Sequence, residues 1–161
     1  MVLKKEKLVI GRSERIDLPD LGLKNINAKI DTGAYSSAIH SYHIHIQTIK
    51  GIEVLTFELL DPSHPKYERK TFKVKNFKLK KVKNSFGSAE KRYTIQSTIT
   101  IFKRKIKAEF TLTNRSEMRF PILLGRKFLH TGNFLVDVTK VNLSKKNKEI
   151  MYNGHRTWSS E

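Results

Sequence analysis

The sequence contains no cysteine, which excludes disulfides, thiolate nucleophiles and thiolate metal sites together and fits a reducing compartment. No apolar run has the length that a transmembrane helix needs. Lys4-Lys5-Glu6-Lys7 is followed by only Leu8-Val9-Ile10, too short for the core of a secretory leader. A soluble, cytoplasmic chain is therefore expected. There is no Gly-x-x-x-x-Gly-Lys-Ser/Thr phosphate cradle and no His-Glu-x-x-His zinc motif. Acidic residues are scarce: 15 Asp and Glu stand against 32 Lys and Arg, a formal charge of +17 over 161 residues. Such a field draws anions, among them nucleic acid, acidic proteins and acidic peptides. The lysines run from Lys4 to Lys148, so a generally basic surface is the plain alternative.

The length suits one domain with its own core. Its patterning is that of strands. Tyr93, Ile95, Ile99 and Ile101 share one parity and Thr94, Gln96, Thr98 and Thr100 the other, and Ile106, Ala108, Phe110 and Leu112 repeat the alternation. These two runs predict an antiparallel hairpin turning around Lys103-Arg104. Leu8 to Ile16, Leu23 to Ile30, Ser37 to Gln47, Ile52 to Leu60 and Ile122 to Leu124 add further strands, and Arg126 to His130 predicts a short helix. Around Asn76 the apolar positions change phase, from Phe72 and Val74 to Phe77 and Leu79, which is read as a bulge or a strand bend. After Lys140 the apolar residues become isolated, so 1–140 is expected to form the domain and 141–161 a basic, loosely held tail.

Two short stretches carry chemistry. Asp31-Thr32-Gly33-Ala34 follows a strand and presents a carboxylate on a turn, with a hydroxyl beside it and a glycine that admits close backbone approach; alone it equally describes an ordinary turn. Phe120-Pro121-Ile122-Leu123-Leu124-Gly125-Arg126 is the second. Asp137, and more weakly Asp61 and Asp17, are rival carboxylates. His43 and His45 share a parity and His40 lies close by, but local hydrogen bonding is the reading preferred to zinc ligation, and no metal or cofactor is expected.

Taken together, these stretches resemble a retropepsin-type aspartic protease. They are similar to the bacterial and archaeal group that goes under the name of ATP-dependent zinc proteases, whose members resemble retropepsins rather than metalloproteases. The resemblance spans about residues 8 to 140. It rests on Ala28 to Ala34 with Ser36-Ser37-Ala38 and His40, on Asn84-Ser85-Phe86-Gly87 with Arg92-Tyr93, on Glu109 to Thr113 with Arg115, Met118 and Pro121, and on Leu124-Gly125-Arg126 with Val136-Asp137.

The resemblance implies an all-β, retropepsin-like acid-protease barrel with one short helix toward the C-terminal side. It implies Asp31 as the catalytic aspartate, with Thr32, Gly33, Ala34, Leu124 and Gly125 supporting the loop and Arg126 in a structural role. Asn84, Ser85, Phe86, Gly87 and Arg92 would form a flap over the substrate. A single Asp-Thr-Gly supplies half of a carboxylate pair, so a homodimer sharing two Asp31 side chains would activate water for peptide-bond hydrolysis. The substrate would be a peptide or protein, with acidic or glutamate-rich peptides the class that related systems suggest. A nucleic-acid-binding module and a noncatalytic peptide-binding domain are the alternatives.

Overall fold

The computed structural model describes residues 7–83, 86–115, 119–145, 150–152 and 157–159. In chain order the strands are β1 (Lys7–Leu18), β2 (Leu23–Ile30), β3 (Ser37–Ile49), β4 (Ile52–Leu59), β5 (Phe72–Val74), β6 (Lys78–Lys83), β7 (Ala89–Ile101), β8 (Arg104–Thr113) and β9 (Ile122–Leu124). A single α-helix among the described residues, α1 (Arg126–Thr131), precedes β10 (Phe134–Val141), β11 (Ile150–Tyr152) and β12 (Thr157–Ser159). The expected all-β barrel with one short helix is thus the observed architecture.

Six strands close on themselves in the order β1-β2-β9-β3-β8-β7, and a pairing of Asp17 with Thr100 returns β7 to β1. Closure removes the free edges that an open sheet would expose. The alternating residues of β7 and β8 pair from Thr94 with Thr111 to Ile101 with Arg104 and send Ile95, Ile99, Phe110 and Leu112 inward. The hairpin turn lies one residue earlier than the sequence suggests. Phe102 and Lys103 occupy it with φ of 51° and 61°, the left-handed pair that matches the twist of the flanking strands.

The phase change at Asn76 has a topological cause. β5 pairs with β4, while β6 pairs with β7, so the chain leaves one sheet and joins another between Val74 and Lys78. The apolar side changes because the partner sheet changes. β4 and β5, with the outer half of β3, form a side sheet in which Val54, Leu55, Thr56 and Phe57 are all buried, both parities being covered.

Glu14 is the inward-facing exception to a charged exterior. It is fully buried, and its carboxylate accepts the N–H groups of Gly11 (2.8 Å), Leu143 (3.1 Å) and Ser144 (2.9 Å). Those contacts tie the irregular stretch of β1 to the chain after β10. The strand itself runs through the 140/141 boundary, and Leu143 is buried beyond it.

Candidate functional site

The loop 31–36 leaves β2 and enters β3, and the chain that shapes it comes from behind. β9 lies between those two strands, parallel to β2 and antiparallel to β3. The Asp31 N–H donates to the Leu124 carbonyl (2.9 Å), and those of Arg126 and Lys127 donate to the carbonyls of Ala34 (2.8 Å) and Tyr35 (3.1 Å). The Gly125 N–H donates to Ser37 Oγ (3.2 Å). A Cβ at Gly125 would lie 2.6 Å from the Ser36 carbonyl oxygen and 2.8 Å from those of Ala34 and Tyr35. The Arg126 guanidinium reaches forward to the carbonyls of Gly33 (2.8 Å) and Thr32 (3.2 Å).

Asp31 is half-buried, and its Oδ1 accepts the Gly33 N–H at 2.9 Å. Among the described residues this is the one hydrogen bond that the carboxylate makes. Thr32 is exposed and meets Arg126 through its carbonyl, while the Ala34 N–H returns to the Asp31 carbonyl (3.4 Å). β6 and β7 form the expected hairpin, with Lys83 opposite Ala89 next to its tip. Asn84, Ser85 and Met118 lie outside the described residues. Phe86 is 93% exposed, beside Gly87, and Arg92 stands opposite Lys80 in register and forms an ion pair with Glu90.

Arg115, to which the resemblance gives no role, adds a further charge. It sits half-buried after β8, and its Nε–H is directed at the Phe120 carbonyl (3.4 Å). Burial first, and then the Arg92 guanidinium, weaken the hold of Arg115 on its proton, while the Asp31 carboxylate opposes them. Arg115 thus feels both the Asp31 carboxylate and the Arg92 guanidinium, the latter already ion-paired with Glu90. A groove of about 440 Å³ is lined by Ile30, Phe120 and the cations Arg12, Arg15, Lys29 and Arg119, with no carboxylate in its wall.

The rival carboxylates are held locally. Asp137 Oδ1 accepts the hydroxyl (2.6 Å) and the N–H (2.9 Å) of Thr139, which hold its carboxyl below the usual range, the hydroxyl most strongly. Asp17 accepts the Asn25 N–H (2.8 Å). His43 Nδ1 contacts Glu58 (2.5 Å) and His45 Nε2 contacts the Thr56 hydroxyl (2.8 Å). Among the described residues no three His, Asp or Glu side chains are grouped as a metal site would require, and no helix is long and apolar enough to cross a membrane.

Asp61 pairs with His40 (2.7 Å) and accepts the hydroxyl and N–H of Ser63. The Ser63 hydroxyl is the largest cause of its lowered pKa; burial opposes it, and His40 and the Ser63 N–H add to the lowering. A lowered folded-state value means stability that is complete above the unfolded value and is lost as pH falls through the folded one. The melting-temperature gap between wild type and Asp61→Asn is accordingly expected to be constant from pH 7 to 5 and to close below about pH 4. A gap unchanged down to pH 2.5 would contradict this.

Four curated relatives match most of the chain, each named probable alpha-L-glutamate ligase. That of Desulfotalea psychrophila is 32% identical over 149 residues, covering 90% of this chain and 31% of the relative. That of Shewanella pealeana is 36% identical over 135 residues, covering 81% and 28%. The chain thus spans about three tenths of the length of these curated relatives. A Legionella pneumophila protein of unknown function, known from a structural-genomics crystal structure, has a TM-score of 0.68 at 28% identity, covering 84% of this chain and 97% of that one.

The curated relatives correct the expected activity. The hydrolase reading, an aspartic endopeptidase with an intersubunit Asp31 pair, is overturned by relatives that are named as ligases. The same finding corrects the substrate set beside it, a peptide or protein. The physical reason is that Asp31-Thr32-Gly33 and Ile122 to Gly125 are fold elements, which set a loop against a strand and do not by themselves fix a reaction. The family itself is clear: a family model described as retropepsin-like aspartic endopeptidase RimB matches residues 9–147, and the chain belongs to the RimB-like family.

Proposed function

We propose that this chain recognises L-glutamate for α-linked glutamate ligation, at the site formed by Asp31, Arg92 and Arg115. The observation that carries this reading is the ligase name shared by four curated relatives across 81–90% of the chain. The charges of the site support it. L-Glutamate carries one ammonium and two carboxylates; Asp31 offers a carboxylate and Arg115 a guanidinium, while Arg92 is shared with Glu90, and planar guanidinium suits carboxylate recognition. The cationic groove beside Ile30 raises the local concentration of the anion.

Asp31 is the acid–base group in this reading. The ammonium first gives a proton to Asp31; the neutral amine then attacks an activated carboxyl, the C–N bond forms, the activating group leaves with its bonding electrons, and the second amine proton passes to solvent. The absence of cysteine supports a cytoplasmic setting.

Calorimetric titration at low ionic strength tests the binding step. L-Glutamate is expected to bind saturably, L-glutamine at least tenfold more weakly, and the Asp31→Asn variant to lose at least tenfold for glutamate. Tenfold corresponds to about 1.4 kcal/mol, within the range of one charge-assisted hydrogen bond. Equal binding of the two amino acids, or none of glutamate, would overturn the reading.

A further inference from the structure

His40 is nearly fully buried, at 2% exposure, and every polar atom it has is engaged. Its N–H donates to the Pro121 carbonyl (2.7 Å), and its own carbonyl accepts the Leu60 N–H (3.0 Å). In the side chain, Nδ1 accepts the backbone N–H of Arg115 at 2.7 Å, so the ring proton resides on Nε2, which donates to Asp61 Oδ2 at 2.7 Å. One imidazole thus spans from the end of the side sheet to the start of the loop that carries Arg115. The approach of Asp61 is itself unusual. Leu60, fully buried, adopts a left-handed φ of 67°, a conformation costly for a branched L-residue and retained where the surroundings impose it.

We propose that His40 and Asp61 are positioning residues for the ligand site: Asp61 orients the imidazole, and the imidazole holds the Arg115 backbone and thereby sets where its side chain stands. The role of Arg115 rests on the function proposed above, whereas the positioning itself does not. It also gives the segment between β3 and β6 a task. The side sheet ends in Leu59, two residues before Asp61, so its packing sets where Arg115 stands. Neither His40 nor Asp61 touches the ligand.

Two substitutions separate the halves of the imidazole. His40→Asn keeps an acceptor near the place of Nδ1 but is too short to meet Asp61. His40→Gln puts a donor near the place of Nε2 and leaves the Arg115 N–H without its acceptor. Hydrogen exchange of the Arg115 amide is measured by NMR relative to amides in β7 and β8, together with the affinity for L-glutamate. In His40→Gln, exchange at Arg115 is expected to rise at least tenfold and affinity to fall at least tenfold; in His40→Asn, which keeps the acceptor but loses Asp61, both changes are expected to be at least threefold smaller than in His40→Gln.

Equal losses in the two variants, tracking melting temperature, would reduce His40 to a packing residue and overturn the proposal. So would unchanged Arg115 exchange in His40→Gln. If the wild type does not bind glutamate, the functional reading falls and the exchange measurement alone decides the positioning. If either His40 variant fails to fold, Asp61→Ala serves instead: faster Arg115 exchange without a matching rise in β7 and β8 is expected, and unchanged exchange overturns the proposal.

Discussion

Replacing Glu14 with alanine is expected to destabilise the protein by at least ~3 kcal/mol, lowering the melting temperature by roughly 6–12 °C for a chain of this size. The carboxylate is the acceptor for three backbone N–H groups, of Gly11, Leu143 and Ser144. Alanine leaves those donors without it in a site that water does not reach, and each unsatisfied buried donor costs about 1–3 kcal/mol. Glu14→Gln is expected to recover only part of the loss, because one oxygen becomes an NH2 group facing an N–H. Thermal unfolding followed by circular dichroism reads both variants. An alanine variant within about 1 kcal/mol of wild type would mean that the carboxylate is dispensable to the joint between β1 and the residues after β10.

The second large effect is expected at Gly125. A methyl group there meets three backbone carbonyl oxygens at 2.6–2.8 Å, and none of them is the end of a side chain that can swing aside. Gly125→Ala must therefore push the 34–36 segment away from β9, at a cost of about 2–4 kcal/mol. It should disturb the Asp31 loop as well, because the N–H bonds of Asp31, Arg126 and Lys127 join the same two segments. A control isolates the cause. Gly51 has φ of 78° and open space around its Cβ position, so Gly51→Ala bears only backbone strain, about 1–2 kcal/mol, and leaves glutamate affinity unchanged. Gly125→Ala is expected to lose affinity beyond what its stability explains, and a Gly125→Ala protein as stable as wild type would refute the steric argument.

Local periodicity makes much of the barrel legible. β7 and β8 face one side with one parity, and that is enough to locate both strands and their pairing. The aspartate turn and the Ile122 to Gly125 element are also readable as partners, because a carboxylate turn and an apolar strand ending in glycine need each other's backbone. Glu14 reads in the sequence as part of a polar break, although it shares parity with Ile16 and Leu18, both buried; a charge at an inward position signals a buried acceptor only when its donors are known. Two of its three donors lie 129 and 130 residues away. The network of His40, Asp61 and Arg115 is hidden for the same reason. Its contacts form only when the β3–β4 hairpin and β8 are laid on either side of β3, an arrangement that no window of sequence contains. The activity escapes on other grounds, since motifs that build a loop do not define the reaction carried out there.

The placement of β9 has a kinetic corollary. The strand slots between β2 and β3 after most of the barrel has been synthesised, and the contact of Gly125 with Ser37 spans 88 residues of chain. Bringing such distant segments together carries a loop-closure cost before any contact compensates it, which slows folding. Until that late strand arrives, the segment bearing Asp31 lacks its backing and Arg126 cannot clasp it. A nascent or truncated chain would thus hold every residue of the aspartate turn and yet be unable to bind through it; competence would arrive in one step, with ring closure.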